Sequence, residues 1–372
     1  MKAIKHSSLS MLLAVSFMTS ACGSILGGSK KSQPGDSPTV GNRPIVTTTT
    51  GTDIGPHINL RVLSYNSFYL PADDVSSATA EQRLYFLPET LAQTGADIVI
   101  LQEVWTPDAQ QTLAAGMQAR GYQTFINENK SLVPPFFLGN GLMVFAKSTI
   151  KPAGQPEFRG WNKSAGFDKY AQKGMLKVPL QIDGVGRVDV FNAHTSFLPW
   201  NGDQHDYNYA ERDTLLSQIK QISDWVASSD ASLKLLGADL NTAPFVWDRA
   251  KGGFDTSRLN GFYEQVRGVL DDPFALVRPD CRFTCVTWDN DHNNLLANGL
   301  FGSQNGNSSL YDPEPNAKYD YVLFRGAGAK VARTGTMMHD DFPLRYNNKL
   351  INAPLSDHFA IFTDLVIPIA GI

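Results

Sequence analysis

The part of this chain that most constrains its fold is the ten-residue segment 235–244, with the sequence LLGADLNTAP. An apolar run reaches a small residue and then presents Asp239 and Asn241, with Leu240 between them. Because alternate side chains of a strand point to the same face, both polar groups would project together from a strand end. A carboxylate can orient or activate water, and an amide can donate to a phosphoryl oxygen. Taken alone, the segment is better explained as a strand followed by an Asx turn, but the rest of the chain reverses that preference.

Other predicted strands also begin or end beside polar side chains that suit catalysis. In chain order these positions are Asn66, Glu103, His194, Asp320, and Asp357 with His358. Glu103 follows a run so apolar that its carboxylate would be costly to bury unless it binds something, and Mg²⁺ prefers such oxygen ligands. His194 follows a strand directly, where an imidazole suits acid–base chemistry. Each position alone fits a turn or a surface residue, but together they predict one catalytic site.

The stretch from residue 59 to residue 367 contains no repeat and no internal linker, so we expect one domain. Apolar alternation predicts strands that include residues 60–66, 97–103, 178–182, 188–192, 319–324 and 359–367. Helical spacing predicts helices over residues 81–94, 110–120, 206–228 and 259–270, the first with a kink or break at Pro88. A composition of 42% hydrophobic and 18% charged residues fits a globular protein with a substantial core.

The formal net charge of −4 provides no electrostatic footprint for nucleic acid, which usually requires a basic face. We therefore expect no nucleic-acid partner, and the sequence predicts no obligatory protein partner. After the N-terminus, the sequence has no segment long and apolar enough to span a bilayer.

The N-terminal residues predict export. A basic start, an apolar region and a small-residue cleavage site indicate that residues 1–21 are a signal peptide. Cys22 follows directly, as in the lipobox of bacterial lipoproteins, although Thr19 stands where leucine is usual, and ordinary cleavage before Cys22 is the alternative. Residues 22–57 are rich in Gly, Ser, Thr and Pro and predict a flexible tether to a domain over residues 58–372. We expect an exported protein, either secreted or anchored to a membrane through a lipid on Cys22.

Two cysteines remain after Cys22, namely Cys281 and Cys285. An even pair in an oxidising compartment suggests a local disulfide. Two reduced structural thiols are the alternative.

The order and wording of the polar positions resemble the endonuclease/exonuclease/phosphatase superfamily, which has the deoxyribonuclease-I-like fold. The matching phrases, over about residues 59–367, are LSYN, DIVILQEVW, NAHT, GADLN, YDYV and SDH. The superfamily usually has Gly-Asp-Phe-Asn, whereas here Ala238 intervenes and Leu240 replaces the Phe, and neither change touches the polar pair. The resemblance implies an α/β (α+β) four-layer sandwich, in which two packed mixed β-sheets are flanked by helices.

The same resemblance implies metal-assisted hydrolysis of a phosphodiester. Glu103 would be the main ligand of Mg²⁺, with Asn66 in or near the ligand shell, and Mn²⁺ or Co²⁺ are alternative ions. His194 would donate a hydrogen bond to a phosphate oxygen.

The remaining positions would handle the attacking water. Asp239 and Asn241 would position that water and the phosphoryl group. His358, oriented by Asp357 or Asp320, would be the general base. Members of the superfamily differ over whether Asp239 takes this role instead.

Less specific markers resemble the bacterial and neutral sphingomyelinases, namely Lys173-Gly174, Thr287-Trp288-Asp289 and Asn293-Asn294. We therefore predict a sphingomyelinase C, which releases phosphocholine and ceramide from membrane sphingomyelin. A secreted nuclease is one alternative, although it requires a basic groove that the net charge does not favour. A lipid or inositol phosphatase is another. A binding protein that lost the chemistry is disfavoured, since it would not need the complete polar set.

A soluble domain needs apolar loops at the rim of its site to reach a lipid in a bilayer. The candidate segments are residues 133–138, 197–200 and 295–301, which include Trp200 and Phe301. Core packing is the alternative for each segment. We expect Trp288 to face the choline group, whose ammonium favours aromatic rings, and Lys173 to contact the substrate or the membrane.

Overall fold

The computed structural model describes residues 56–70, 74–127, 138–197, 200–201, 206–207, 212–248, 250–277, 286–289, 292–296, 316–346 and 348–369. All of them belong to one compact unit, Asn42–Ile372. The predicted signal peptide, the tether up to residue 55 and the lipid site at Cys22 lie outside the described residues, as do Cys281, Cys285 and Phe301. Trp200 is described only as part of a strand, without its side chain. In the described part of the chain, none of the helices is both long and apolar enough to cross a membrane.

The first of two large mixed sheets has six strands. They are β1 (His57–Tyr69), β2 (Ile98–Val104), β3 (Tyr122–Phe125), β4 (Met143–Lys147), β15 (Lys330–Met337) and β18 (Ala360–Pro368). Their order across the sheet is β15-β18-β1-β2-β4-β3. β1 and β2 are parallel, and the other neighbours are antiparallel.

The second large sheet contains β5 (Lys151–Pro152), β6 (Glu157–Gly160), β7 (Gly174–Ile182), β8 (Gly186–His194), β11 (Leu233–Asp239) and β14 (Asp320–Gly326). The order is β14-β11-β8-β7-β5, and β6 also pairs with β7. β8 and β11 are parallel, whereas the remaining pairs are antiparallel.

Shorter elements surround these sheets. Three two-stranded pairs are β9 (Trp200–Asn201) with β10 (Asp206–Tyr207), β12 (Phe245–Asp248) with β13 (Gly253–Leu259), and β16 (Phe342–Tyr346) with β17 (Lys349–Ala353). The α-helices of the described residues are α1 (Asp74–Gln93), α2 (Pro107–Gln118), α3 (Arg212–Ala227), α4 (Gly261–Arg267) and α5 (Pro273–Val277). A 3₁₀ helix spans Gly166–Tyr170.

Alternation along the strands distributes apolar side chains into layers. Ile100 and Leu235 lie in the core between the two sheets. Their neighbours point the opposite way, so Leu101 packs in the cluster under α1 and α2, and Leu236 packs with Ile219 of α3. The result is helices, sheet, sheet, helices, which confirms the predicted four-layer sandwich.

The two sheets approach closely near the predicted site. A Cβ atom on Gly237 would lie 2.6 Å from Cδ1 of Ile100, so only glycine fits there. Nearby, Gln102 Nε2 donates to Asn192 Oδ1 at 2.9 Å, which joins β2 to β8. These contacts fix β2, β8 and β11 just before the site residues that these strands carry.

Several predicted elements are confirmed, and some boundaries are wrong. The strands predicted over residues 178–182 and 188–192 lie in β7 and β8, which pair with each other in antiparallel register. The first helix begins at Asp74 and continues through Pro88, whose ring packs against Gly116 of α2. The helix predicted over residues 206–228 begins instead at Arg212, because Asp206–Tyr207 pairs with Trp200–Asn201.

Candidate active site

A β-bulge in β1 aims Asn66 toward Glu103. The strand continues past Asn66 to Tyr69, so the predicted strand end is wrong, and its register with β2 shifts between these two residues. Phe68 and Glu103 both have a left-handed backbone, with φ of 52° and 61°. That conformation costs on the order of 1–3 kcal/mol per non-glycine residue and often accompanies a functional site. Asn66 Nδ2 donates to Glu103 Oε1 at 3.1 Å.

Asp239 lies at the centre of the site. It pairs in register with His194, the last residue of the parallel strand β8. Its Oδ2 accepts a 2.9 Å hydrogen bond from Asn66 Nδ2 across the two sheets and lies 3.6 Å from His194 Nε2. Its Oδ1 accepts the N–H of Asn241 at 2.9 Å. The Asn241 amide in turn donates to the carbonyl of Thr195 at 3.1 Å, so it ties the end of β11 to the end of β8.

His358 is oriented by Asp320. Its Nδ1 lies 2.7 Å from Asp320 Oδ2, and its Nε2 lies 4.0 Å from Asp239 Oδ2. The backbone N–H of Asp320 donates to Thr287 Oγ1 at 3.2 Å, which holds the start of β14. Asp357, the other carboxylate predicted for this role, instead accepts the hydroxyl of Ser356 at 3.1 Å.

Lys173 lies inside the site. Its Nζ is 3.2 Å from His194 Nε2, donates to the carbonyl of Thr195 at 3.1 Å, and forms a 3.0 Å ion pair with Asp168. Its exposed fraction is 6%. The ammonium group of Lys173 is therefore paired within the site, and its contact with substrate or membrane stays a prediction.

The structure describes part of the predicted substrate and membrane surface. Trp288 is half-buried and meets the His358 ring edge-on, with centroids 5.1 Å apart. The predicted membrane segment 295–301 begins in the core, because Leu295 is fully buried against Phe68 and Leu344. The rest of that segment lies outside the described residues.

Burial raises the pKa values of two site carboxyl groups. The pKa of Asp239 rises to about 7, because burial and the neighbouring Asp320 both disfavour its ionised form. Burial likewise raises the pKa of Asp357 to about 7, and the charge of Glu103 adds to this. Both groups can therefore exchange a proton near neutral pH.

The two histidines shift in opposite directions. Burial, reinforced by the charge of Lys173, lowers the pKa of His194 well below its usual value. Burial alone would also lower the pKa of His358, but the carboxylates of Asp320, Asp357 and Asp239 outweigh it and raise that pKa well above its usual value. At neutral pH the site thus combines a neutral imidazole with a cationic one.

The donor set fits a divalent cation. Among the described residues, Glu103 Oε2 and Asp320 Oδ1 are buried without a hydrogen-bond partner. Asp239 and Asp320 offer carboxylate oxygens within 4.8 Å of each other, and a ring nitrogen of His358 lies within the same distance of both. Buried carboxylate oxygens are costly without compensating charge, and a hard cation supplies it.

Several residues that hold the site together lack a distinctive sequence pattern. Asp168, which pairs with Lys173, lies in a 3₁₀ helix without an apolar pattern around it. Thr195 acts through its carbonyl, and a backbone group leaves no sequence signal. Trp161 Nε1 donates to the carbonyl of His194 at 2.9 Å from a separate loop, which only the tertiary fold brings near.

Solved structures with the same fold include a sphingomyelinase, a toxin and a DNA-bound protein. Sphingomyelinase C from Streptomyces griseocarneus is 19% identical, with 83% of this chain and 99% of that chain covered and a TM-score of 0.60. A beta toxin mutant from Staphylococcus aureus with bound magnesium ions is 16% identical, with 82% and 99% covered and a TM-score of 0.59. TDP2 from D. rerio, complexed with single strand DNA product, is 14% identical, with 82% and 98% covered and a TM-score of 0.54. Comparison with curated proteins gave no match.

The fold and the buried acid–histidine cluster define a hydrolase of the phosphodiesterase type. Residues 66–358 match the Endonuclease/Exonuclease/phosphatase family. The chain therefore belongs to this family, which confirms the resemblance in the sequence.

Proposed function

We propose that this protein is a Mg²⁺-dependent sphingomyelin phosphodiesterase, which hydrolyses the lipid to ceramide and phosphocholine. The proposal depends mainly on the arrangement around Asp239, with Asn66 and Glu103 on one side and His194 and His358 on the other. One phosphate group between these residues would meet a cation ligand and two imidazoles. The likeness to a sphingomyelinase C structure supports the choice of substrate.

In this mechanism Asp239 accepts a proton and His358 donates one. Asp239, with a pKa of about 7, is matched to accept a proton from the attacking water at neutral pH. Asn241 holds this carboxylate through its backbone N–H. His358, kept cationic by Asp320, can donate to a phosphoryl oxygen or to the leaving alkoxide. Of the two bases considered from the sequence, we thus favour Asp239.

Glu103 is the residue that we expect to hold the ion, with Asn66 beside it, because Glu103 Oε2 is buried without a partner. Bound Mg²⁺ would supply Lewis-acid stabilisation of charge on the phosphate oxygens. Mn²⁺ would satisfy the same oxygen ligands.

An aromatic ring beside the acid–base pair supports a choline headgroup. Trp288 is half-buried, and its ring lies next to that of His358. Quaternary ammonium groups bind to the faces of such rings with about 0.5–2 kcal/mol. A phosphocholine whose phosphate contacts His358 would be within reach of this ring.

The β16–β17 hairpin is a further candidate for lipid contact, and the sequence did not predict it. Its base packs on Phe68 through Leu344 and Ala353, close to the bulge that carries Asn66. Near its tip Leu350 is 63% exposed. An exposed apolar side chain on a hairpin whose base packs near the site suits insertion into the lipid interface.

A nuclease is the second candidate, because one structure of the same fold is complexed with a DNA product. The net charge of −4 disfavours it, since nucleic-acid affinity depends on neutralising phosphates. Purified protein should be assayed with Mg²⁺ and with EDTA on vesicles of sphingomyelin, vesicles of phosphatidylcholine and single-stranded DNA. We expect Mg²⁺-dependent release of phosphocholine from sphingomyelin. Cleavage of DNA without release of phosphocholine would reject the proposal in favour of the nuclease.

A further inference from the structure

A fully buried arginine lies behind the bulge of β1. Arg83 belongs to α1 and is 0% exposed. It occupies the same helix face as Thr79, Leu87 and Leu91, at four-residue spacing, and all three are also buried. A charged residue at a core position of a helix is unusual, because a buried charge is costly unless it is fully hydrogen-bonded.

The guanidinium group donates to carbonyls on two separate segments. Nη1 donates to Ser67 O at 3.0 Å, and Nη2 donates to Phe68 O at 2.6 Å. Nη1 also donates to Leu355 O at 3.1 Å, on the segment that leads to His358. Arg83 thus bridges the strand that carries Asn66 and the loop that carries the histidine.

These carbonyls need partners because the sheet does not supply them. β1 pairs with β18 only up to Ser64, and its register with β2 is broken between Asn66 and Tyr69. Buried carbonyls that lose strand partners must be satisfied by other donors. Ser356 Oγ donates to the carbonyl of Asn66 at 2.7 Å, and Arg83 donates to the next two carbonyls along the chain, those of Ser67 and Phe68.

Packing fixes the plane of the guanidinium. Its central carbon lies 4.5 Å from the ring centroid of Tyr69 and 5.5 Å from that of Phe68. Nε donates to Thr79 Oγ1 at 3.0 Å, one turn earlier in α1. A planar, five-donor group held in this way donates from nitrogens that are fixed relative to one another, whereas a lysine ammonium offers three donors at a single atom.

We propose that Arg83 is a positioning residue that holds the left-handed bulge at Phe68 and thereby sets Asn66 at a fixed distance from His358. It touches neither the substrate nor the cation. The inference deepens the proposed function, on which it rests for the roles of Asn66 and His358. The contacts to Ser67, Phe68 and Leu355 do not depend on what the site hydrolyses.

The test compares Arg83→Lys with Leu87→Ala, a matched control one turn later on the same buried face. Arg83→Lys keeps the charge but loses the planar guanidinium group, whereas Leu87→Ala loosens the core without changing a residue that contacts the bulge carbonyls. The first readout is amide hydrogen exchange of the metal-free protein. In Arg83→Lys, we expect faster exchange concentrated in peptides over residues 64–70 and 354–358. In Leu87→Ala, we expect the increase in α1 and the first sheet generally.

The second readout is Mn²⁺ affinity by calorimetry, and the third is turnover of a water-soluble phosphodiester. Arg83→Lys should weaken Mn²⁺ binding roughly 10–100-fold, because the loss of a residue that supports a metal ligand commonly has an effect of this size. It should also lower kcat more than it changes KM. Leu87→Ala should keep wild-type affinity and kcat at temperatures where it is folded.

Exchange in Arg83→Lys that matches the Leu87→Ala pattern would overturn the inference. So would Mn²⁺ affinity equal to that of wild type. If the wild-type protein hydrolyses no phosphodiester, the proposed function fails, but the exchange pattern still decides the role of Arg83.

Discussion

Asn66 and Asp239 are 173 residues apart in the chain, yet Asn66 Nδ2 donates to Asp239 Oδ2 at 2.9 Å. This bond crosses from the first sheet to the second. It joins a residue beside the expected cation ligand Glu103 to the carboxylate that lies between His194 and His358. The site therefore depends on the packing of the two sheets, and neither half holds the complete set of groups.

Glu103→Gln should abolish most divalent-cation binding while the fold survives. The change keeps the size of the side chain but removes its charge. We expect the affinity for Mg²⁺ or Mn²⁺ to fall by roughly 100-fold or more, since removing a residue that only supports a metal ligand already lowers affinity by about 10–100-fold. Calorimetry would measure the affinity, and circular dichroism would check the fold. Glu89→Gln, on the exposed face of α1, is the control and should bind normally. Unchanged affinity in Glu103→Gln would show that the cation lies elsewhere.

His194→Ala and His358→Ala should each lower kcat by about 10²–10⁴-fold, because each imidazole contacts the reacting groups in the proposed site. His292→Ala is the matched control, since its side chain is 60% exposed and pairs with Asp289 outside the cluster. The measurement is turnover of a water-soluble phosphodiester under saturating Mg²⁺. Near-normal turnover in either site variant would remove that histidine from the mechanism.

The sequence predicted which polar residues come together where a strand carries them. His194, Asp239 and Asp320 end or begin apolar strands, and parallel or paired strands bring such ends together. The sequence could not predict the bulge after Asn66, because a register shift between strands depends on how β1 and β2 pair.

At Arg83 the sequence indicates an unusual charged core position but does not reveal the partners of the charge. Its place in the four-residue series of Thr79, Leu87 and Leu91 marks a core position, so the charge there was detectable as an anomaly. Its partners belong to a loop about 270 residues later and to a broken strand edge, and only the tertiary fold brings them within reach. The exposure of Leu350 on its hairpin could not be predicted either, because a single exposed leucine has no distinctive sequence pattern.

The stability of the metal-free protein should fall as pH rises from about 4 to about 7. Asp239 and Asp357 have a pKa of about 7 when folded, against 3.8 ordinarily, so the folded state binds more protons than the unfolded state across this window. His358, with its raised pKa, extends the fall above pH 6.5. His194 has a lowered pKa and acts oppositely, because its protonation below pH 6.5 favours unfolding.

Urea unfolding at several pH values, with and without Mg²⁺, measures this slope. The free energy of unfolding of Asp357→Asn should depend less on pH than that of wild type, because one of the two carboxyl groups with a raised pKa is gone. Mg²⁺ should stabilise wild type more at pH 7 than at pH 5, since a cation binds the ionised carboxylates. An equal slope in wild type and Asp357→Asn would contradict the assigned pKa of Asp357.

Leu350→Asp should weaken hydrolysis of vesicle substrate while sparing hydrolysis of a water-soluble phosphodiester. Leu350 is exposed on a hairpin whose base packs beside the site, and a carboxylate there would oppose entry into the lipid interface. Leu276→Asp is the control, because Leu276 is 55% exposed on α5. Equal losses on both substrates in Leu350→Asp would mean that the hairpin supports the site rather than the membrane contact.

The role of water in the reaction can be measured by hydrolysis of sphingomyelin vesicles in ¹⁸O-labelled water, followed by ³¹P NMR and mass spectrometry of both products. If Asp239 directs water onto phosphorus in a Mg²⁺-dependent phosphodiesterase, phosphocholine should carry one ¹⁸O atom, ceramide should carry none, and EDTA should stop the reaction. Absence of labelled phosphocholine under Mg²⁺, or label in ceramide, would contradict the account.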